Sequence, residues 1–113
     1  LGSDENGFLD VFSIETFNHV ARVEVGTSPI DLYEDEEYIY ITNFTEGSIS
    51  IINKKRYYVE KTLYIGGMPK GILKHKNKLY IGDYLKGRLI VLEENKIEKI
   101  IAIESEPNAM ILF

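Results

Sequence analysis

Short runs in which apolar and polar residues alternate follow one another along the chain, and none recurs with the 3.6-residue period of a helix. Ile30-Asp31-Leu32-Tyr33, Tyr38-Ile39-Tyr40-Ile41-Thr42, Ser48-Ile49-Ser50-Ile51-Ile52 and the stretch from Tyr57 to Ile65 are successive examples. Each reads as a β-strand, rich in β-branched and aromatic side chains and bounded by turn formers. The turns are Glu34-Asp35-Glu36-Glu37, Asn43-Phe44-Thr45-Glu46-Gly47 and Lys54-Lys55-Arg56. The pattern predicts an all-β chain, essentially without helix.

The pattern also repeats. Gly7, Gly47 and Gly87 stand forty residues apart, Gly26-Thr27-Ser28-Pro29 returns as Gly66-Gly67-Met68-Pro69, and Tyr40-Ile41 returns as Tyr80-Ile81. The third copy runs two residues short, so its proline arrives at Pro107. A period near forty built of strands marks a β-propeller, whose blades bury their faces against one another. The expected fold is an all-β propeller segment of about three four-stranded antiparallel blades in an incomplete ring, with Gly47 and Gly87 each at the turn before a third strand. Repeat units fall at 7–46, 47–86 and 87–113, with 1–6 as the end of a preceding strand and turn, and 1–113 form one partial propeller. A ring normally takes roughly four to eight blades. The chain opens at Leu1 with neither an initiator methionine nor a leader. A segment of a longer propeller is therefore expected, or a unit that closes with copies of itself. In either case the strand expected at Ala109 to Phe113 could complete the blade that begins at Gly7.

Register assigns the faces. Val23 and Val25 match Leu63 and Ile65, then Ile101 and Ile103; Leu9 and Val11 match Ile49 and Ile51, then Leu89 and Val91. These residues are expected to form the layers between blades, with Val25, Ile65 and Ile103 in equivalent buried sites.

Composition narrows the function. There is no cysteine, so the fold rests on stacked apolar faces, and no apolar run is long enough to span a membrane. Acidic residues number 18 against 13 basic ones, a formal charge of −5, with no basic stripe to neutralise phosphates. Nucleic acid is an unsuitable partner.

Tyr40-Ile41-Thr42-Asn43, followed by Gly47-Ser48-Ile49-Ser50-Ile51-Ile52-Asn53, resembles the YVTN repeat of bacterial and archaeal β-propellers. Gly26 to Pro29 and Gly66 to Pro69 are similar to that family's junction between blades. The third unit departs from it, with Gly82-Asp83 in place of Thr-Asn and Glu104-Ser105-Glu106-Pro107 in place of the glycine junction. The resemblance covers the whole chain. It implies a propeller and a range of roles: surface-layer proteins, lactonase-like enzymes and haem-carrying domains. It favours the cell envelope or exterior, while the lack of cysteine also fits the cytoplasm.

In such a blade the connection entering the first strand and the one leaving the second lie at one end. That end, at the mouth of the channel, gathers Asp4, Glu5, Asn43, Glu46, Asp83, Tyr84, Glu104 and Glu106, with Lys70 and Lys86 as the opposing cations. It is the candidate binding face, for a protein or small ligand of cationic character; the alternative is an ordinary solvated acidic rim. Asp31, on the first strand, is expected to line the channel, where it could join an oxygen-ligated ion or be held by water and backbone amides. His19 aligns with Val59 and Ile97 and so is expected to replace a packing residue. His75 falls in a turn, and neither histidine has metal-ligand spacing. No catalytic motif, metal site or cofactor is assigned. Asn43-Phe44-Thr45 matches the glycosylation acceptor pattern but falls within the repeat, and Lys54-Lys55-Arg56 reads as a solvated hairpin. The reading is a non-enzymatic scaffold that binds through its mouth loops. The alternatives are part of a lactonase-like or streptogramin-lyase-like enzyme whose catalytic residues lie elsewhere, and a haem- or quinone-bearing electron-transfer propeller.

Overall fold

The computed structural model describes residues 5–103 as ten strands with no helix among them. β1 (Asn6–Phe12) pairs with β2 (His19–Thr27). β3 (Pro29–Glu34), β4 (Tyr38–Asn43), β5 (Ser48–Asn53) and β6 (Tyr58–Tyr64) form a four-stranded antiparallel meander. β7 (Pro69–His75), β8 (Lys78–Asp83), β9 (Arg88–Glu93) and β10 (Lys96–Ala102) form another. The fold is a partial β-propeller: the outer half of one blade, followed by two whole blades. The forty-residue sequence unit straddles sheets, since β1 and β2 belong to one blade while β3 and β4 open the next. The strand expected at Ala109 to Phe113 and the junction at Pro107 lie outside the described residues.

The glycines divide by role. Gly47 and Gly87 sit in the turns before β5 and β9 with φ of +75° and +61°, where a side chain would be strained. Gly7 lies within β1 instead, and a Cβ there would come within 2.4 Å of the Pro29 ring. The same period thus marks two turns and one close approach.

Two apolar layers hold the blades together. Val23 and Val25 of the first blade pack on Ile39, Ile41 and Ile52 of the second. Tyr40, Ile49 and Ile51 on the other face of the second blade pack on Ile72, Leu79, Ile81, Ile90 and Leu92 of the third. Burying one such aliphatic side chain is worth about 1.5–3 kcal/mol. The register expectation holds for Ile49 and Ile51 of the middle blade, which are buried. It does not hold evenly elsewhere: Val25 is buried, but Ile65 and Ile103 are only half-buried and Ile101 is exposed. Ile65 and Ile103 lie just past their strands, where each donates its N–H to the carbonyl of Gly47 or Gly87. Ile101 faces outward from the third blade, with no described blade beyond it.

The first blade shows the same incompleteness from the other side. Phe12 is 61% exposed, while Ile52 and Leu92 at the same repeat position are 0% and 2% exposed. Leu32 is 47% exposed where Ile72, one repeat later, is 6%. A groove of about 280 Å³ lies beside Leu32, lined by Phe8, Leu9, Pro29, Ile30, Asp31 and Ile41. It lies between β1 and β3, where no described strand covers β1.

Candidate functional site

Among the described residues, the junction at Gly26 and Thr27 meets the Asn43–Glu46 turn, and the junction at Met68 meets Asp83. Gly26 N–H donates to Asn43 Oδ1 at 3.1 Å and Thr27 N–H to Glu46 Oε1 at 3.1 Å, fastening the first junction to the second blade. Asn43 Nδ2 in turn donates to the hydroxyls of Ser48 and Ser50 at 3.0 and 2.9 Å. One repeat later Asp83 Oδ1 accepts the Met68 N–H at 3.1 Å, and Asp83 Oδ2 meets the Arg88 guanidinium at 2.8 Å. Gly67 passes so close that a Cβ would lie 2.3 Å from the Asp83 carboxylate. Burial disfavours the Asp83 anion, but the Met68 and Lys86 N–H groups and the Arg88 charge outweigh it. The carboxyl is held below its ordinary range.

These contacts redistribute the expected site. Asn43 and Asp83 are fully buried, and their polar atoms are engaged in holding the loops. Glu46 is half-buried, with Oε1 on Thr27 and Oε2 accepting from Ser48 Oγ at 2.8 Å. Glu5 is exposed and Tyr84 half-buried; Asp4, Glu104 and Glu106 lie outside the described residues. Asp31, on the innermost strand β3, accepts Leu32 N–H at 2.9 Å and Ile72 N–H at 3.1 Å. It pins the second blade to β7 of the third through the Ile72 amide. Among the described residues no three His, Cys, Asp or Glu side chains form a metal cluster.

Arg88 was not legible as a mouth residue, and it alters the charge there. Among the described residues Glu5, Glu46 and Asp83 now stand against Lys70, Lys86 and Arg88. Asp4, Glu104 and Glu106, the rest of the acidic set expected at this end, lie outside the described residues. A repeat comparison carries the signal for Arg88, because it stands where Ser48 does, five residues past the buried Asn43 or Asp83.

Among the described residues this end also presents two aromatic side chains. Phe44 and Tyr84 follow Asn43 and Asp83 directly, at the same place in consecutive blades. The Phe44 N–H donates to Ser28 O at 2.8 Å and the Tyr84 N–H to Met68 O at 2.9 Å, so each turn is tied across its own blade junction. Their ring centroids are 5.9 Å apart, and the Lys70 ammonium lies 5.0 Å from the Tyr84 centroid. Leu85 beside them is exposed.

The opposite end carries a second polar bridge between blades. Lys74 Nζ donates to Asp35 Oδ2 at 2.8 Å and to the Tyr40 hydroxyl at 2.9 Å, and Tyr40 donates to Asp35 at 3.2 Å. Partial burial pushes Asp35 up, but Lys74 and the N–H groups of Tyr38 and Glu37 outweigh it and hold the carboxyl at about 2. His19 does not take up a packing role. It is exposed, and its Nε2 lies 2.9 Å from Asp10 Oδ1, beside Arg22.

Neither a protein-family model nor a curated protein matches the chain. Its fold is nonetheless shared with known β-propeller structures. Hydrazine synthase of Kuenenia stuttgartiensis superposes with a TM-score of 0.81 at 16% identity, over 90% of this chain and 32% of that one. AztD of Citrobacter koseri gives 0.78 at 16% identity, over 93% and 32%. A putative 6-phosphogluconolactonase of Bacteroides uniformis gives 0.73 at 12%, over 95% and 40%. At such identities the likeness shows the fold alone. The chain spans about a third of the length of the first two.

Proposed function

We propose that the chain is part of a propeller scaffold of the YVTN kind that binds a partner through the turns at the channel mouth, with no bond-making chemistry in these residues. The observation that carries it is the pair Phe44 and Tyr84. Two aromatic side chains recur at one site in consecutive blades, on turns fastened by buried polar groups and left half open to solvent. Loops on a rigid scaffold are where propellers and other repeat folds place recognition. Half-exposed aromatic residues are also the side chains that anchor interfaces. The structural neighbours bear unrelated names, a synthase and a putative lactonase among them, as befits a fold on which sites are grafted.

In this reading the uncovered faces of the first and third blades meet further blades, from a longer chain or from other copies. The resemblance to YVTN repeats supports a place at the cell envelope or outside it. A photo-crosslinking phenylalanine analogue tests the mouth, introduced in the full-length protein at Phe44, at Tyr84, and at Lys55 on the opposite end. Discrete adducts from the first two and none from the third support the proposal. Adducts from Lys55 alone, or equal labelling from all three, contradict it.

A further inference from the structure

The seam between the first and second blades holds a cavity of about 310 Å³, with Ser50 and Thr62 on the wall of the second blade and Val25 and Gly26 on that of the first. It arises from a residue exchange between repeats. Ser50 of β5 pairs across strands with Thr62 of β6, and one blade later Ile90 of β9 pairs with Ile100 of β10. Ile90 is fully buried and packs in the seam between the second and third blades. A serine at its place leaves the earlier seam short of a branched aliphatic side chain, where close packing would be the rule. Ser50 is 1% exposed and its Oγ accepts from Asn43 Nδ2 at 2.9 Å, but among the described residues nothing accepts its O–H. The Thr62 hydroxyl has no hydrogen bond among them either. Among the described residues the charged lining is Glu24 and Glu46, and Tyr64 is an exposed aromatic side chain beside them. We infer that this cavity binds a neutral saccharide. The site is separate from the Phe44 and Tyr84 turns and does not depend on them.

The balance of donors and acceptors selects the ligand. The Ser50 and Thr62 hydroxyls each have a proton to give and need an acceptor oxygen, whereas the carboxylates of Glu24 and Glu46 only accept and need donors. An organic cation would serve the carboxylates and leave the hydroxyl protons idle. An anion would serve the hydroxyls and be repelled by the carboxylates. A sugar hydroxyl donates and accepts at one oxygen, so a single molecule serves both. Glu46 is oriented by the Thr27 N–H and the Ser48 hydroxyl, and Glu24 by Asn6 Nδ2 at 2.9 Å. Each carboxylate keeps further lone pairs for ligand hydroxyls. The Tyr64 ring offers an apolar surface to the C–H face of a pyranose. The volume lies at the low end of small-molecule sites, which run from roughly 300 to 1,000 Å³, and so suits a small saccharide.

Saturation-transfer difference NMR on the full-length protein tests this. The probes are D-glucose, D-galactose, D-mannose and N-acetyl-D-glucosamine, with ethylammonium and acetate as charged controls. At least one sugar should receive saturation, and more of it than either control. Thr62→Val keeps the shape of the wall but removes a hydroxyl, and should weaken that sugar about threefold to tenfold. Ser50→Ile installs the residue of the third blade and should abolish binding. Should that variant fail to fold, Thr62→Val carries the test alone. Lys55→Ala, on the opposite end, should leave binding unchanged. No transfer to any of the four sugars, stronger transfer to ethylammonium than to the sugars, or binding unaltered in Thr62→Val overturns the inference.

Discussion

The Asp83 carboxylate meets the Arg88 guanidinium at 2.8 Å in the third blade, in the place where, one repeat earlier, the Asn43 amide donates to the Ser48 hydroxyl at 3.0 Å. One site in the fold is thus built twice, once from neutral groups and once from an ion pair. Both versions take an N–H from the junction between blades, so both fasten one blade to the next.

The two versions differ in how they fail. Arg88→Ala leaves a fully buried carboxylate without its counter-charge and should cost about 3–5 kcal/mol. The double variant Asp83→Asn with Arg88→Ser rebuilds the neutral arrangement and should cost about 1 kcal/mol or less, because neither charge is stranded. Urea unfolding of both variants in the full-length protein checks this. Equal losses would show that the stranded charge is not what the single variant costs.

At the opposite end, Asp35 gives stability a dependence on acid. Its carboxyl titrates at about 2 in the folded chain against an ordinary 3.8. A lowered folded value adds stability above pH 3.8, which is lost as the pH falls from there towards 2. The full effect is about 2 kcal/mol. Lys74 is shifted up, so its share of the same pair is present below its ordinary value and is lost only in strong alkali. Asp35→Asn should flatten the acid limb of a stability profile between pH 2 and 4, and an unchanged limb would show that other carboxyls set it.

Burial separates the layers between blades from the open faces. Ile81, fully buried between the second and third blades, should cost about 2–5 kcal/mol as Ile81→Ala. Ile101 is 43% exposed on the outer face of the third blade, so Ile101→Ala should cost below about 1 kcal/mol in the 113-residue chain. Where a further blade covers that face the cost should rise to about 2 kcal/mol or more. Denaturant melts of the 113-residue chain by itself and within a closed ring measure the difference, and identical small losses in both would mean that the face is never covered.

The blades were legible because their information is periodic. Alternation gives the strands, the forty-residue recurrence stacks them, and matched positions such as Ile49 and Ile51 fall where neighbouring faces must meet. The mouth was legible only as a location. Asn43 and Asp83 read as exposed ligands because polar residues in loops usually are. Whether a loop polar group turns inward depends on unpaired junction N–H groups beneath it, and these appear only when the blades are assembled. Arg88 escaped for the same reason: at the start of a strand it gives no local sign that a buried carboxylate waits five residues back. Ile65 and His19 were misjudged because the repeat carries position but not the presence of a neighbour. Ile65 lies past its strand, and His19 stands on a face with no described blade behind it.

That missing neighbour is open to a direct measurement. Phe8, Phe12 and Phe17 on one face and Ile101 on the other leave apolar surface in water, and the free edge of β1 invites pairing. Sedimentation velocity of the purified 113-residue chain at micromolar concentration reads the consequence. The expected result is self-association, with little folded monomer. A monomer that is stable at that concentration and unfolds cooperatively would mean that these blades protect their own faces, and the case for further blades would fall.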